Sequence, residues 1–124
     1  MSKHLDQAVE FRTAMNQPLG AVTRELATLQ LTLINEEWKE LSDALDDDIL
    51  NDPRAREAAL KELGDLVYVC YQLAAAFGWD LDIALDRIQE SNLSKLVDGK
   101  PLKREDGKVL KGPNYKPPTL IDLV

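Results

Sequence analysis

Two short acidic clusters interrupt apolar helical patterns in this chain, and they restrict its fold more than any other feature. The first cluster is Glu36-Glu37-x-x-Glu40 and the second is Glu62-x-x-Asp65. Apolar residues flank both clusters at spacings of three and four, which place acids and apolar side chains on the same side of a helix. Because an ionised carboxylate is costly on a buried helix face, the pattern predicts acids held beside a core by a cation.

The predicted inward face of the first helix carries Glu36 and Glu40, with Glu37 at its edge. Its other members are Leu26, Leu29, Leu33 and Ala44, and the second helix combines its acids with Leu66, Val69 and Leu73. Lys39 and Lys61 are expected on the other sides of their helices. A solvated acidic face with charge pairs four residues apart is the alternative, but it does not explain the flanking leucines.

A turn signal lies midway between the two clusters. Asp52 is a good helix N-cap and Pro53 suits the first helical position. Each cluster is centred about 13 residues from this break, which is about 19 Å along a helix. An antiparallel hairpin would therefore bring the two clusters together at one height.

Five converging carboxylates cannot all remain ionised without positive charge nearby. A site made only of oxygen ligands fits Mg²⁺, with Mn²⁺ as a possible substitute. Zinc is disfavoured, because His4 and Cys70 are the only residues of their types and lie far apart in the sequence. A di-iron bundle would need Glu-x-x-His pairs, which the sequence lacks.

Helical periodicity dominates the chain and predicts an all-α fold. The expected helices run from about Lys3 to Asn16 with Ser2 as cap, from Val22 to Asp46, from Pro53 to Phe77, and from a cap at Asp80 to Ser94 or Lys95. We assign residues 1–97 to one helical domain. Residues 98–124, rich in Gly, Pro and Lys, form an irregular segment expected to pack on that domain or on a neighbouring subunit. A disordered tail is the alternative, against which its apolar residues argue.

The distribution of charge favours a small anionic ligand. The net charge is −7, but residues 95–124 carry +3 and the remainder −10. An acidic body would repel nucleic acid, whereas a basic segment beside a metal site suits a polyphosphate. Neither a membrane-spanning run nor the apolar core of a signal peptide is present, and the single cysteine provides no disulfide framework. A cytoplasmic protein without a membrane partner is the expectation.

The two long helices are apolar on a second side as well. These positions are Leu31, Ile34, Trp38, Leu41 and Leu45 in the second helix and Leu60, Leu63, Val67, Cys70, Ala74 and Phe77 in the third. A four-helix monomer of this size covers both sides poorly, so a homo-oligomer is expected.

Taken together, these motifs resemble a known family. Glu37-x-x-Glu40 and Glu62-x-x-Asp65 resemble the signature of the all-α nucleoside triphosphate pyrophosphohydrolases, the MazG-like and dimeric dUTPase-like superfamily. Further similarity lies in Glu10-Phe11-Arg12, Ser91-Asn92-Leu93-Ser94-Lys95, and Asp106-Gly107-Lys108-x-x-Lys111-Gly112. These segments resemble short MazG-like proteins, some of which are similar to dUTP-hydrolysing house-cleaning enzymes.

The resemblance implies a four- to five-helix bundle that forms a homodimer or a dimer of dimers. It implies Mg²⁺-dependent cleavage between the α and β phosphates of a nucleoside triphosphate, with dUTP as the first expectation and dCTP as the second. The alternative is a non-catalytic helical oligomer that binds nucleotide or metal as a regulatory module.

The resemblance also implies roles for individual residues. By motif position, Glu37, Glu40, Glu62 and Asp65 are metal ligands. Glu36 either helps to hold a second metal or orients and deprotonates the attacking water. The expected substrate-binding residues are Asn92 and Lys95 for phosphate or sugar, and Lys108, Lys111 and Tyr115 for phosphate. Phe11 and Trp38 are our candidates for the nucleobase pocket, since such pockets favour aromatic walls.

Overall fold

The protein is all-α, as predicted. The computed structural model describes residues 3–124, and within that range it contains four α-helices and no β-strand. They are α1 (Lys3–Ala14), α2 (Arg24–Ala44), α3 (Pro53–Phe77) and α4 (Leu81–Leu93). Two short 3₁₀ helices, Asp47–Leu50 and Ile121–Leu123, were not predicted.

The ends of α3 agree with the sequence-based expectation. The Asp52 carboxylate accepts the amide of Arg54 at 2.9 Å, and Pro53 occupies the first turn. Gly78 ends the helix with a φ of 76°, a left-handed conformation that favours glycine. Helix α3 therefore begins and ends at the predicted residues.

The other helices are shorter than predicted, for identifiable reasons. Helix α1 ends at Ala14 because Asn16 has a φ of 54°, and its predicted cap, Ser2, lies outside the described residues. Helix α2 begins after Thr23, whose hydroxyl accepts the Leu26 amide at 3.1 Å. It ends at Ala44 because Asp46 caps the following 3₁₀ helix, where its carboxylate accepts the Asp48 amide at 2.9 Å. Helix α4 ends at Leu93, earlier than expected.

The chain forms two compact units, the first ending at Trp79 and the second covering Asp80–Val124. In the first unit, α3 packs against both α1 and α2. The loop between α1 and α2 is fixed to the end of α3, where the Ala21 amide donates to the Ala76 carbonyl at 2.9 Å. A Cβ on Gly78 would approach the Gly20 Cα to 3.1 Å, so the close approach requires glycine there. The loop thereby holds α1 against α3.

In the second unit, the C-terminal segment folds back on α4. Arg87 donates to both carboxylate oxygens of Asp122, at 2.6 and 3.0 Å, and to the Thr119 carbonyl at 3.0 Å. Gly112 lies so close to Lys95 that a Cβ would come within 2.8 Å of its carbonyl oxygen. The segment is thus ordered on α4, and the domain boundary at residue 97 stays a prediction. No helix in the described chain is long and apolar enough to cross a membrane.

Candidate active site

Four carboxylates from α2 and α3 converge at one place in the first unit. Glu37 and Glu40 lie one turn apart on α2, and Glu62 and Asp65 lie one turn apart on α3. One oxygen from each of the four lies within 4.8 Å of the others. We call this group the acidic cluster. The hairpin therefore brings the two sequence motifs together at one height, as their distances from the turn predicted.

The structure corrects which residues of α2 face inward. Glu36 was placed on the inward face and Glu37 at its edge, but Glu36 is exposed and lies outside the acidic cluster. Leu29, another predicted inward residue, is 52% exposed but lines a cavity between the helices together with the buried Gln30. The rest of the predicted face is confirmed, with Leu26 buried and Glu40 in the acidic cluster, so the error concerns the order of two adjacent glutamates.

The acidic cluster is electrostatically strained without a cation. Burial raises the pKa of Glu37, and the hydrogen bond with Glu40 and the charges of Glu40, Asp65 and Glu62 raise it further. Glu37 Oε2 and Glu62 Oε2 are buried and have no hydrogen-bond partner among residues 3–124. Buried carboxylate oxygens are costly when unpaired, so the cluster is arranged to receive positive charge.

One lysine supplies part of that charge. Lys61 Nζ lies 2.7 Å from Asp65 and 3.6 Å from Glu62, and the Asp65 hydrogen bond raises the lysine pKa. The expectation that Lys61 lies on the other side of its helix is therefore wrong; its long side chain reaches back to the acid one turn later. Lys39 pairs instead with Asp43 at 2.9 Å on an exposed surface. A single exposed lysine leaves most of the negative charge of the cluster unbalanced.

The donor set fits a hard divalent cation. All four side chains offer carboxylate oxygens, the ligands that Mg²⁺ and Mn²⁺ prefer. The two buried oxygens without protein partners are the atoms that coordination would satisfy. Cys70 is half-buried, and burial raises the pKa of its thiol, so it is suited to packing rather than to nucleophilic chemistry.

A cavity of about 370 Å³ lies along the same two helices, toward the start of α2 and the end of α3. Phe11, Arg12, Gln30, Leu33, Tyr68 and Gln72 are among its lining residues. The rings of Phe11 and Tyr68 pack edge to face with centroids 5.8 Å apart. We call this space the amide cavity. Phe11 thus lines a cavity, whereas Trp38 lies outside its lining and is 60% exposed.

The polar walls of the amide cavity were missed by sequence reasoning. Arg12, Gln30 and Gln72 are 2%, 2% and 5% exposed. Arg12 Nε donates to the Pro18 carbonyl at 2.8 Å and Nη1 donates to Gln72 Oε1 at 3.4 Å, while burial lowers the arginine pKa. One signal was available: Gln30 lies four residues after Leu26 and three before Leu33, on the spacing of the apolar face.

The remaining predicted substrate-binding residues belong to the second unit. Lys111 Nζ lies 4.8 Å from the centroid of the Tyr115 ring, so the structure brings these two together. Lys95 is half-buried, and both Asn92 and Lys108 are exposed. Their contacts with substrate stay predictions.

Comparison with known proteins identifies the family. A model of the phosphoribosyl-ATP pyrophosphohydrolase family matches residues 3–92, which include all four helices except the last residue of α4. The chain belongs to this family, which is part of the all-α MazG-like NTP pyrophosphohydrolase superfamily. No curated protein matches the sequence significantly. The resemblance drawn from the motifs is confirmed, and the protein is a nucleotide pyrophosphohydrolase, a hydrolase acting on phosphoric anhydrides.

Proposed function

We propose that this member of the phosphoribosyl-ATP pyrophosphohydrolase family cleaves the α–β phosphate bond of a nucleoside triphosphate in the presence of Mg²⁺. The products would be a nucleoside monophosphate and pyrophosphate. The observation that carries the proposal is the acidic cluster, with four oxygens within 4.8 Å of one another and two of its buried oxygens unpaired in the described chain. Mn²⁺ is a possible substitute, since it accepts the same ligands.

In this proposal Glu37, Glu40, Glu62 and Asp65 hold the cation. When bound, the cation would neutralise negative charge on the phosphate oxygens, which is the main electrostatic requirement of phosphoryl transfer. The four acids must be ionised to bind it, so the raised pKa of Glu37 makes proton release part of cation binding. Lys61 would give up part of its pairing with Asp65 when the cation arrives.

Glu36 has the position of a general base in this proposal. It directly precedes Glu37 in α2, yet it is exposed and lies outside the acidic cluster. A carboxylate that is not itself coordinated keeps a basic oxygen available for a water proton. We therefore favour water activation over a metal-ligand function for Glu36.

Five residues that the family resemblance singles out are proposed to bind the charged end of the substrate. Asn92 and Lys95 are proposed to contact phosphate or sugar, and Lys108, Lys111 and Tyr115 to contact phosphate. The cation–π contact between Lys111 and Tyr115 supports the pair as a unit, because the ring restrains the ammonium group without neutralising it. Lysines stabilise the charge of a leaving pyrophosphate.

The nucleobase would occupy the amide cavity, with Phe11 as one wall. We propose dUTP as the first substrate to test and dCTP as the second, in a house-cleaning role. Phosphoribosyl-ATP is a third candidate, because the matching family model carries its name. A cavity of about 370 Å³ lies in the size range of small-molecule pockets.

We also propose that the protein forms a homo-oligomer through the second apolar side of its long helices. Leu31 and Trp38 on α2 and Leu45, which directly follows that helix, recur every seven residues, and all three are more than half exposed. On α3, Leu60, Leu63 and Val67 are likewise exposed. Apolar positions at such spacing are typical of a helix that packs against another. Light scattering of the Trp38→Lys protein should show a smaller particle than the wild type.

The enzyme assay for this proposal separates pyrophosphate from orthophosphate. The purified protein is incubated with dUTP, dCTP, the common nucleotides and phosphoribosyl-ATP, with and without Mg²⁺. Mg²⁺-dependent pyrophosphate release from one or two nucleotides would support the proposal. Orthophosphate as the first product would contradict α–β cleavage. Mg²⁺ binding without any product would favour the regulatory alternative.

A further inference from the structure

The two buried glutamines of the amide cavity lie at matching distances from the acidic cluster, one on α2 and the other on α3. Gln30 precedes Glu37 by seven residues on α2, and Gln72 follows Asp65 by seven residues on α3. Because the helices form a hairpin, both glutamines lie on the same side of the acidic cluster, about 10.5 Å away along the helix axes. A base bound in the amide cavity would therefore lie about one nucleoside length from phosphates at the acidic cluster.

The hydrogen bond from Arg12 fixes the polarity of Gln72. A guanidinium carries five N–H donors and no acceptor, so the Gln72 atom that faces Arg12 Nη1 at 3.4 Å must be the amide oxygen. The Gln72 amide nitrogen, a pure donor, is left buried without a hydrogen-bond partner in the described chain. Arg12 and Gln72 thus make one side of the amide cavity rich in donors.

Gln30 supplies the complementary group. Its Oε1 atom is buried on the cavity wall and has no partner among the residues that the structure describes. Unlike Gln72, it has no arginine at its oxygen, so its amide can turn to suit a ligand. An unpaired buried donor and an unpaired buried acceptor are costly unless a ligand or water satisfies them.

We propose that Arg12 and Gln72 make the amide cavity selective for bases that carry a carbonyl oxygen on the edge opposite the sugar. A carbonyl oxygen accepts two hydrogen bonds and matches adjacent donors. Gln30 Oε1 then accepts the neighbouring ring N–H. Uracil and the 6-oxopurines offer this edge, whereas cytosine and adenine present an amino group, which would place donor against donor. The inference rests on the proposed function and separates its candidates: it favours dUTP over dCTP and over the adenine-containing phosphoribosyl-ATP.

The wild-type protein tests this with ligands that differ only at that edge. Binding of dUMP and dCMP, and of dIMP and dAMP, is measured by calorimetry in the presence of Mg²⁺. We expect the oxo member of each pair to bind at least about tenfold more tightly, since the amino member leaves a buried donor unpaired. Equal binding within both pairs, or preference for the amino member, would overturn the inference.

Substitution of Gln72 tests the assignment to a residue. Gln72→Glu replaces the donor with an acceptor that still pairs with Arg12, so the preference for dUMP over dCMP should fall about tenfold or reverse. Gln89→Glu, the same change at an exposed position of α4, should keep the wild-type ratio. An unchanged ratio in a folded Gln72→Glu protein would contradict the assignment of selectivity to Gln72. If that protein does not fold, Gln72→Met is measured instead, and its ratio is compared with the wild-type ratio in the same way.

The outcomes for binding and for hydrolysis are distinguishable. Monophosphate binding requires no bond cleavage, so base selectivity without any turnover would contradict the proposed function alone. Turnover with no difference between oxo and amino bases would contradict only this inference.

Discussion

The acidic cluster and the amide cavity share helices α2 and α3, with α1 adding Phe11 and Arg12 to the cavity, but their buried polar groups differ in kind. The acidic cluster gathers four carboxylates with one exposed lysine in contact. The amide cavity buries neutral amides beside a single arginine, which itself is almost completely buried. The acidic cluster is unfavourable until a cation binds. The amide cavity instead leaves single hydrogen-bond donors and acceptors that would suit an uncharged nucleobase.

In our proposal, this difference separates affinity from selectivity within the first unit. In our proposal, a cation held by the acidic cluster acts on the phosphates that every nucleotide shares, so it would not distinguish bases. The amides act through hydrogen bonds that a mismatched base leaves unsatisfied, and such buried mismatches discriminate strongly. We expect substitutions in the acidic cluster to affect all substrates alike, and substitutions in the amide cavity to affect them unequally.

The largest effect is expected at the acidic cluster. Glu40→Gln keeps the shape of the side chain but removes a charge that the cation needs, so the turnover rate should fall about a hundredfold or more for every nucleotide. The matched control is Glu57→Gln, an exposed acid of α3 outside the cluster, which should retain wild-type activity. Equal loss of turnover in both proteins, or full activity of Glu40→Gln, would contradict the role that we give to the acidic cluster.

The next effect concerns stability at the amide cavity. Arg12→Met fills similar space but leaves the Pro18 carbonyl and Gln72 Oε1 without their donor, which should lower the free energy of unfolding by about 2–3 kcal/mol. Urea denaturation measures this. Arg104→Met is the control, because Arg104 is exposed and its ion pair with Asp106 contributes little. An equal loss of unfolding free energy in the two variants would show that Arg12 does not organise the cavity.

A smaller effect of opposite sign is expected for Glu37→Gln in the metal-free protein. The raised pKa of Glu37 shows that its charge is disfavoured where it lies, so neutralising it should raise the midpoint of thermal unfolding slightly. The same change should abolish stabilisation by added Mg²⁺, which acts through binding to the folded state. Thermal unfolding with and without Mg²⁺ measures both. A destabilised metal-free variant would contradict the strain assigned to the acidic cluster.

The smallest effect is expected at an exposed ion pair in the second unit. The bidentate hydrogen bond from Arg87 lowers the pKa of Asp122. An acid whose pKa is lowered in the folded state stabilises the fold above its unfolded pKa of about 3.9. That contribution is lost as the pH falls below this value. The protection factor of the Leu123 amide, which is its exchange rate corrected for the intrinsic effect of pH, should therefore fall in acid, and Asp122→Asn should remove this dependence. A protection factor in the wild type that does not change in acid would show that the pair does not hold the segment.

The difference between the two sites also explains what the sequence could predict. Carboxylates among leucines are conspicuous in a sequence. The sequence could therefore predict the helices, the turn at Pro53 and the approach of Glu37 and Glu40 to the α3 acids. Gln30 and Gln72 are ordinary surface residue types, and their burial depends on how α1 crosses the hairpin. Arg12 was likewise unremarkable until the loop placed the Pro18 carbonyl beside it.

The most direct test of the account is pyrophosphate release from dUTP and dCTP measured side by side with Mg²⁺, in wild-type and Glu40→Gln protein. We predict Mg²⁺-dependent pyrophosphate from dUTP, much less from dCTP, and about a hundredfold less from either in the variant. Pyrophosphate release that is independent of Mg²⁺ or unaffected by Glu40→Gln would contradict the central claim that the acidic cluster is the catalytic centre.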